Sequence, residues 1–358
     1  MNVCFVFGTR PESIKLFPVA LEFISRGHTV TVIDTSQQPG AVDSFFLKYV
    51  SEISIFRLPA PNIGKFLSSQ FQTQIVFLEK YLGEHNFDFC VVHGDTNSTF
   101  LGAMAGFYAQ TQVIHVEAGL RSHNVYSPFP EEMNRLLVSK LAAYHAAPTA
   151  QCFKALVSEG ISLDNIVVTG NTVIDAISSI KNLGYVGREV DESLTNVLVM
   201  CHRRENRESA LGVLCDEINN YLGTRTMFHV MLHPNPLVSD IFSSRLKDNA
   251  NVIFVEPLEY DEFILLVDNA DGVITDSGGL QEEVTYIKKP TIIFRNETER
   301  PEVLEVPYVE LCESFPHAAV EQLAQLINHN YRVTHSDYEP FGNGSASTKI
   351  VDFLENIS

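Results

Sequence analysis

Gly272-Val-Ile-Thr275-Asp276-Ser277-Gly278-Gly279-Leu280-Gln281-Glu282-Glu283 is the stretch on which the fold is decided. The apolar Val273-Ile274 breaks at Asp276-Ser277, two glycines follow, and an amphipathic helical pattern begins. This is a strand, a tight turn and a helix N-terminus. The first-turn amides of such a helix are unpaired and the positive end of its dipole points outward, which suits a phosphate. Gly278 and Gly279 let an anion approach the backbone where a Cβ would block it. Glu283, further into the unit, is placed to reach a ribose hydroxyl. The competing reading is a turn with Ser277 as a plain helix cap. The other polar clusters along the chain decide between the two.

Working outward, 358 residues exceed what one hydrophobic core usually serves, so two domains are expected. A hydrophobic content of 45% is ordinary for a globular protein. Twenty-five Lys and Arg against 44 Asp and Glu leave a formal charge of −19. That argues against nucleic acid or an anionic membrane as main partner. An anionic small ligand stays open, because Arg10, Arg203, Arg204 and Arg300 fall in polar clusters. The six cysteines have no CxxC spacing and lie in or beside apolar runs, as core residues of a reduced, cytoplasmic protein. A strand pattern starts almost at Met1, so no signal peptide is expected, and no apolar run of about 18 residues suggests a membrane span.

In chain order, Val3–Phe7 is a continuous apolar strand, as in a parallel sheet buried on both faces. It runs into Gly8-Thr-Arg10-Pro-Glu-Ser-Ile-Lys15, where Pro11 suits a first helical turn and Arg10 and Lys15 are placed to meet phosphate oxygens. Lys15 as a solvated helix residue is the alternative. The single Gly8, without G-x-G-x-x-G, weakens a nicotinamide or flavin reading. The strand Thr29–Asp34 precedes the polar loop Thr35-Ser-Gln37-Gln38, and residues 66–82 carry helical periodicity. Phe89–Val92 ends in His93-Gly-Asp95-Thr, and Gln112–Val116 ends in Glu117-Ala-Gly-Leu-Arg121. A loop then leads through Pro130-Glu131-Glu-Met-Asn-Arg135 into another helix. Strand and helix alternate with polar residues at the strands' carboxyl ends, where doubly wound sheets bind ligands.

Asp95, Glu117 and Glu131 therefore come from successive strand ends and are expected to converge, although Asp95 or Glu131 taken alone suits a helix cap. His93, His115 and His123 lie nearby, yet His115 sits inside an apolar strand and no paired-histidine spacing occurs, so no metal is expected. The interdomain junction is expected near Thr169-Gly-Asn-Thr-Val-Ile-Asp175. A second strand series begins at Asn196–Met200, which ends in His202-Arg-Arg-Glu-Asn206. Phe228–Leu232 ends in His233-Pro-Asn-Pro236, and Val252–Val255 is followed by Tyr260 and Phe263. After the opening stretch come Thr291–Phe294, Thr298-Glu-Arg300-Pro-Glu302 and a terminal helix over 345–355. The expected fold is α/β, with two doubly wound Rossmann-like domains facing across a cleft. The expected boundaries are 1–168 and 169–335, with a C-terminal helix (336–358) packing back on the first domain.

These clusters, in this order and together with Pro340-Phe-Gly-Asn-Gly344, resemble the non-hydrolysing UDP-N-acetylglucosamine 2-epimerases over nearly the whole chain. The resemblance implies the GT-B architecture and inversion at C2 of UDP-GlcNAc to give UDP-ManNAc, a surface-polysaccharide precursor. The implied route eliminates UDP to a glycal and adds it back with the opposite C2 configuration. It implies that Asp95, Glu117, Glu131 and His202 carry the catalysis, and that Arg10, Ser277, Gly278 and Gly279 clamp the pyrophosphate with Lys15 beside them. Glu283 corresponds to the ribose-binding glutamate, Phe263 lies where the family packs against uracil, and Gln37, Arg135, His233 and Arg300 are the further substrate contacts. No cofactor is required, and a homodimer is expected by family likeness.

Three departures stand out. The family's Thr-Gly-Gln-His loop, which bacterial members use for a second, activating UDP-GlcNAc, reads Thr35-Ser36-Gln37-Gln38. The segment after Glu302 is altered and shortened, and Cys201 replaces the usual Thr or Gly. None touches the carboxylates, but the exact sugar stays open, including UDP-sugars modified at C3, C4 or C6. The other readings are a hydrolysing 2-epimerase releasing ManNAc and UDP, a GT-B glycosyltransferase, and a non-catalytic nucleotide-sugar sensor. Arg10-Pro-Glu-Ser13 favours the non-hydrolysing form.

Overall fold

The apolar runs assemble into two parallel sheets in the computed structural model, which describes residues 1–42, 46–50, 53–59, 71–182, 190–202, 209–223, 225–233, 235–298, 300–328 and 338–357. Arg203, Arg204, Glu205, Asn206, Pro234 and Glu299, all in the motifs above, lie outside the described residues. The chain divides into two units, one of residues 1–179 with 341–358 and the other of residues 180–340.

The first unit carries β1 (Asn2–Phe7), β2 (Thr29–Asp34), β3 (Ser54–Arg57), β4 (Phe89–His93), β5 (Gln112–Val116), β6 (Tyr144–Ala147) and β7 (Ile166–Val168). Its helices are α1 (Arg10–Ser25), a single turn α2 (Leu47–Tyr49), α3 (Phe71–Glu84), α4 (Asn97–Tyr108), α5 (Glu131–Leu141), α6 (Ala150–Ser158) and α7 (Thr172–Asn182), which leads into the second unit. The spatial order is β3-β2-β1-β4-β5-β6-β7 and every neighbouring pair is parallel. Val3 to Phe7 are fully buried, which is why β1 reads as an unbroken apolar run: helices cover both its faces.

The second unit repeats the plan with β8 (Thr195–Met200), β9 (Thr226–Met231), β10 (Val252–Val255), β11 (Gly272–Thr275), β12 (Thr291–Ile293) and β13 (Val309–Leu311). Its helices are α8 (Ser209–Asn220), α9 (Pro236–Leu246), α10 (Tyr260–Asn269), α11 (Gly278–Ile287) and α12 (Ala319–Asn328). The order is β10-β9-β8-β11-β12-β13, again parallel throughout. In each unit the winding reverses once, between β1 and β4 and between β8 and β11. That reversal opens a crevice beyond the carboxyl ends of those strands, the place where such sheets bind ligands.

The final helix, α13 (Ala346–Ile357), belongs to the first unit and packs on α1. Asp175 caps it, accepting from the amides of Ser347 (2.8 Å) and Ala346 (3.2 Å). Arg26 on α1 holds Asp352 (2.6 Å) and Glu355 (2.7 Å) at its far end. Gly170, at φ +93°, lies so near the Phe341 carbonyl that a Cβ would sit 2.8 Å from that oxygen. Two of the sequence motifs, around Gly170 and around Gly342, thus make one backbone contact.

Candidate active site

The turn after β1 is built around a carboxylate. Glu12, 1% exposed, accepts from the amides of Gly8 (3.1 Å) and Thr9 (2.8 Å) and from the hydroxyls of Thr96 (2.7 Å) and Thr99 (3.1 Å). It ties the loop after β1 to the loop after β4, the two strands flanking the reversal. Burial pushes its carboxyl up, against the pull of those donors. Gln38 Oε1 accepts from the Arg10 amide at 3.0 Å, and Gln37 Oε1 accepts from Ser98 N (2.9 Å) and Oγ (2.8 Å). The two glutamines fasten the loop after β2 to the starts of α1 and α4.

Glu117 follows β5 with φ +61°, a left-handed conformation that costs a non-glycine residue about 1 kcal/mol or more. Its Oε2 receives Lys15 Nζ and Asn171 Nδ2 (2.9 Å), and His93 Nε2 stands 3.6 Å away. Burial alone would push this carboxyl up; the Lys15 ammonium and the His93 ring outweigh it and hold Glu117 well below the usual carboxylate range. Asp95 takes Arg135 Nε (2.8 Å) and Nη2 (2.6 Å), while Asn134 Nδ2 holds the Asp95 carbonyl at 2.9 Å. Glu131 opens α5, one turn before Arg135, and the neighbouring Glu132 accepts from the amides of Ser122 and His123. His93 Nε2, Glu131 Oε2 and Thr172 Oγ1 are buried without a hydrogen-bond partner. Such atoms cost free energy unless a ligand or water meets them, and each of the three lies at a strand's end or a helix's start, where a polar ligand could meet it.

In the second unit, Asp276 is fully buried after β11 and accepts twice from the His202 amide after β8, at 2.9 and 3.1 Å. The His202 ring lies 3.8 Å from the same carboxylate and stacks on His233, centroids 5.2 Å apart and planes 12° from parallel. Burial, then the neighbouring His202, lowers the His233 pKa from its ordinary value, against the pull of Asp276. α11 begins at Gly278, and Ser277 stands at its N-cap without a side-chain capping bond. The first-turn amides keep their outward donors. A Cβ on Gly279 would meet nothing within 4 Å, so the space before this helix end is open. Glu283 Oε1 accepts from Tyr260 Oη at 2.8 Å, and Phe263, 8% exposed, lies one turn along α10.

A family model described as UDP-N-acetylglucosamine 2-epimerase matches residues 25–355. The chain belongs to that family. It is similar to the UDP-N-acetylglucosamine 2-epimerase of Salmonella borreze, 37% identical over 99% of this chain and 98% of the relative. Among solved structures it resembles that of the Neisseria meningitidis UDP-GlcNAc 2-epimerase bound to UDP-GlcNAc, with TM-score 0.87, 35% identity, 99% of this chain and 100% of that chain covered. At the level of fold alone it is similar to Acinetobacter baumannii MurG, with TM-score 0.61 at 13% identity, covering 99% of each chain. MurG is a GT-B protein, and the α/β class with two Rossmann-like units is as the sequence led us to expect.

Within this family frame, the structure brings Lys15 to Glu117 and Arg135 to Asp95, so two cations expected at the substrate are ion-paired with carboxylates. Arg300 Nε is on Glu282, and Gln37 is engaged by Ser98. His202 and His233 meet, as do Tyr260 and Glu283. Sequence reading named no role for Glu12, His93, Asn171 or Asp276. Each lay inside a quoted motif, but only the tertiary contact shows what it holds.

His115 is a core residue, fully buried on β5, with Nε2 on the Gly94 carbonyl at 2.7 Å. Burial pulls its pKa down to about 3, and that of the neighbouring buried His145 to about 4. The unfolded chain takes up a proton near pH 6.5 that folded His115 refuses until about pH 3, so stability falls as pH drops through that window. Between pH 6.5 and 5 this is about 2 kcal/mol for His115. His115→Gln keeps a donor for Gly94 but does not titrate. Its urea midpoint should fall less than that of the wild type between pH 7 and 5; equal falls would refute a neutral buried His115.

Proposed function

We propose that this chain is a non-hydrolysing UDP-N-acetylglucosamine 2-epimerase that interconverts UDP-GlcNAc and UDP-ManNAc. The observation that carries the reading is the pair of carboxylates at the ends of β4 and β5, Asp95 held by Arg135 and Glu117 by Lys15. The C2 proton is not next to a carbonyl, so direct abstraction is unfavourable. Loss of UDP solves this: the C2–H and C1–O bonds break, C1=C2 forms, and the electron pair of the C1–O bond leaves on the phosphate oxygen. The UDP oxygen then returns to C1 while a proton is delivered to the opposite face of C2. Work on both faces needs more than one proton-handling group, which Asp95, Glu117 and Glu131 supply with His202.

In this reading the first-turn amides of Gly278 and Gly279, with the Ser277 hydroxyl and Arg10, receive the pyrophosphate and stabilise the charge developing on the leaving group. Glu283, oriented by Tyr260, meets the ribose, and Phe263 packs on the uracil. His233 and Arg300 complete the nucleotide contacts, and Gln37 shapes the loop after β2. Lys15 holds Glu117 in place and Arg135 holds Asp95.

The deciding experiment is incubation with UDP-GlcNAc in D₂O followed by proton NMR. The expected result is deuterium at C2 with UDP-ManNAc retained. UDP with free ManNAc would make the chain a hydrolysing enzyme, and no exchange would make it a sensor. The same assay on C3-, C4- and C6-modified UDP-sugars fixes the substrate.

The reading extends to a cytoplasmic homodimer supplying a surface-polysaccharide precursor. Apolar side chains stand exposed on the adjoining helices α3 (Val76, Phe77), α4 (Phe107) and α5 (Met133, Leu137), and they support a self-association face. No helix among the described residues is long and apolar enough to cross a membrane.

A further inference from the structure

We propose that Asn171 and His93 are positioning residues which, with Lys15, fix one oxygen of Glu117 and leave Oε1 as its single working oxygen. The inference rests on the epimerase reading and adds to it how Glu117 is aimed.

Three nitrogens from three elements converge on Oε2: Lys15 Nζ from α1, Asn171 Nδ2 from the segment before α7, and His93 Nε2 from the end of β4. No hydrogen bond reaches Oε1 among the described residues. The Asn171 amide has one orientation available. Its Oδ1 accepts from Val173 N at 3.0 Å, and its backbone N–H donates to the Phe341 carbonyl at 2.7 Å, so Nδ2 must face the carboxylate. His93 is 4% exposed and its Nε2 has no hydrogen-bond partner, so Oε2 at 3.6 Å is an acceptor within one small adjustment.

The other oxygen faces the turn that bears Asp95. Oε1 lies 3.9 Å from where a Cβ on Gly94 would stand, and Gly94, at φ +68°, is the residue before Asp95. That turn is itself held, by Gly94 N on the Val116 carbonyl (2.9 Å) and His115 on the Gly94 carbonyl (2.7 Å). A carboxylate anchored through one oxygen cannot rotate to offer either. The proton-accepting lone pair therefore has a fixed direction, and fixed direction is what lets a proton pass in a short encounter. The left-handed backbone at Glu117 aims the side chain into this cradle, a strain that persists only because the surroundings over-determine it.

The test uses the full-length protein. Asn171→Asp sets a like charge against Oε2, in a site whose other charged or titratable neighbours are Lys15 and His93. It should lower kcat by about 100-fold with KM changed less than about threefold, because proton transfer and not binding is disturbed. The acid limb of the kcat–pH profile should move to higher pH, which a merely structural defect would not produce. His93→Gln, which keeps a donor, should retain activity within about threefold, and His93→Phe should lose about 30-fold or more. UDP affinity, read by calorimetry, should match the wild type in all three and so certify their folding. If the wild type turns over UDP-GlcNAc while Asn171→Asp and His93→Phe match it, the positioning role is wrong. Should Asn171→Asp fail to fold, the two His93 variants decide alone. A wild type that fails to turn over any UDP-sugar overturns the epimerase reading instead.

Discussion

Asp95→Asn should lower the rate of C2 inversion by about 1,000-fold or more while leaving the protein folded and able to bind UDP. Asparagine keeps the shape of the side chain and an oxygen for Arg135, which now reaches Asp95 at 2.6 Å. It cannot take or give the proton. The side chain is 27% exposed, so weakening the ion pair should cost no more than about 1 kcal/mol of stability. The loss should fall on kcat, with solvent deuterium entering C2 correspondingly slowly in D₂O. Activity within a few-fold of wild type would remove Asp95 from the chemistry and shift proton transfer to Glu117 and Glu131.

How much of this was legible in the sequence depended on burial. The strands at the centre of each sheet announced themselves, because a parallel strand covered on both faces is apolar through most of its length; β1, β4, β5 and β8 are of this kind. The strands that went unread are β3, β6, β7 and β13. β3, Ser54-Ile-Phe-Arg57, closes one edge and has no fully buried residue, so its pattern is diluted by polar ends. β7 and β13 are edge strands of three residues each, too short for any period to emerge. β6 is interior, but its Tyr144-His-Ala-Ala147 uses small residues where helices pack close, and alanine carries little strand preference.

The site was legible in a different sense. Polar residues at strand ends gave away where the chemistry sits, because such residues have no packing reason to gather at the carboxyl edge of a sheet. What each one touches was not legible. Lys15 and Glu117 are separated by 102 residues, and nothing local to either says that they pair. Arg300 reads as a substrate contact, and nothing local to it says that its Nε lies on Glu282. Glu12 reads as a first-turn acid until its four donors are counted across two loops. Sequence fixes such a residue's charge and its loop; only the tertiary fold shows whether that charge faces a substrate or another side chain.

The opening of α11 yields a second large effect, with opposite signs on stability and binding. Gly279 lies in the first turn of α11, and a Cβ there would meet nothing within 4 Å. Gly279→Asp should therefore fit without a clash. It should also stabilise the unit by about 0.5–1 kcal/mol, since a carboxylate near a helix N-terminus is favoured by the dipole and glycine is lost from a helix. For the pyrophosphate the same change is severe. Two like charges about 4 Å apart repel by up to about 4 kcal/mol at the effective dielectric of a partly exposed site. UDP affinity should fall by at least about 100-fold, and the fall should shrink as salt is raised. Gly279→Ala, which adds bulk without charge, should fall between the wild type and the aspartate variant. Calorimetric titration with UDP beside a thermal melt reads both signs in one preparation. A variant that melts higher and binds UDP as tightly as the wild type would place the pyrophosphate away from this helix. Loss of binding together with a lower melting point would instead make the two glycines a requirement of the turn itself.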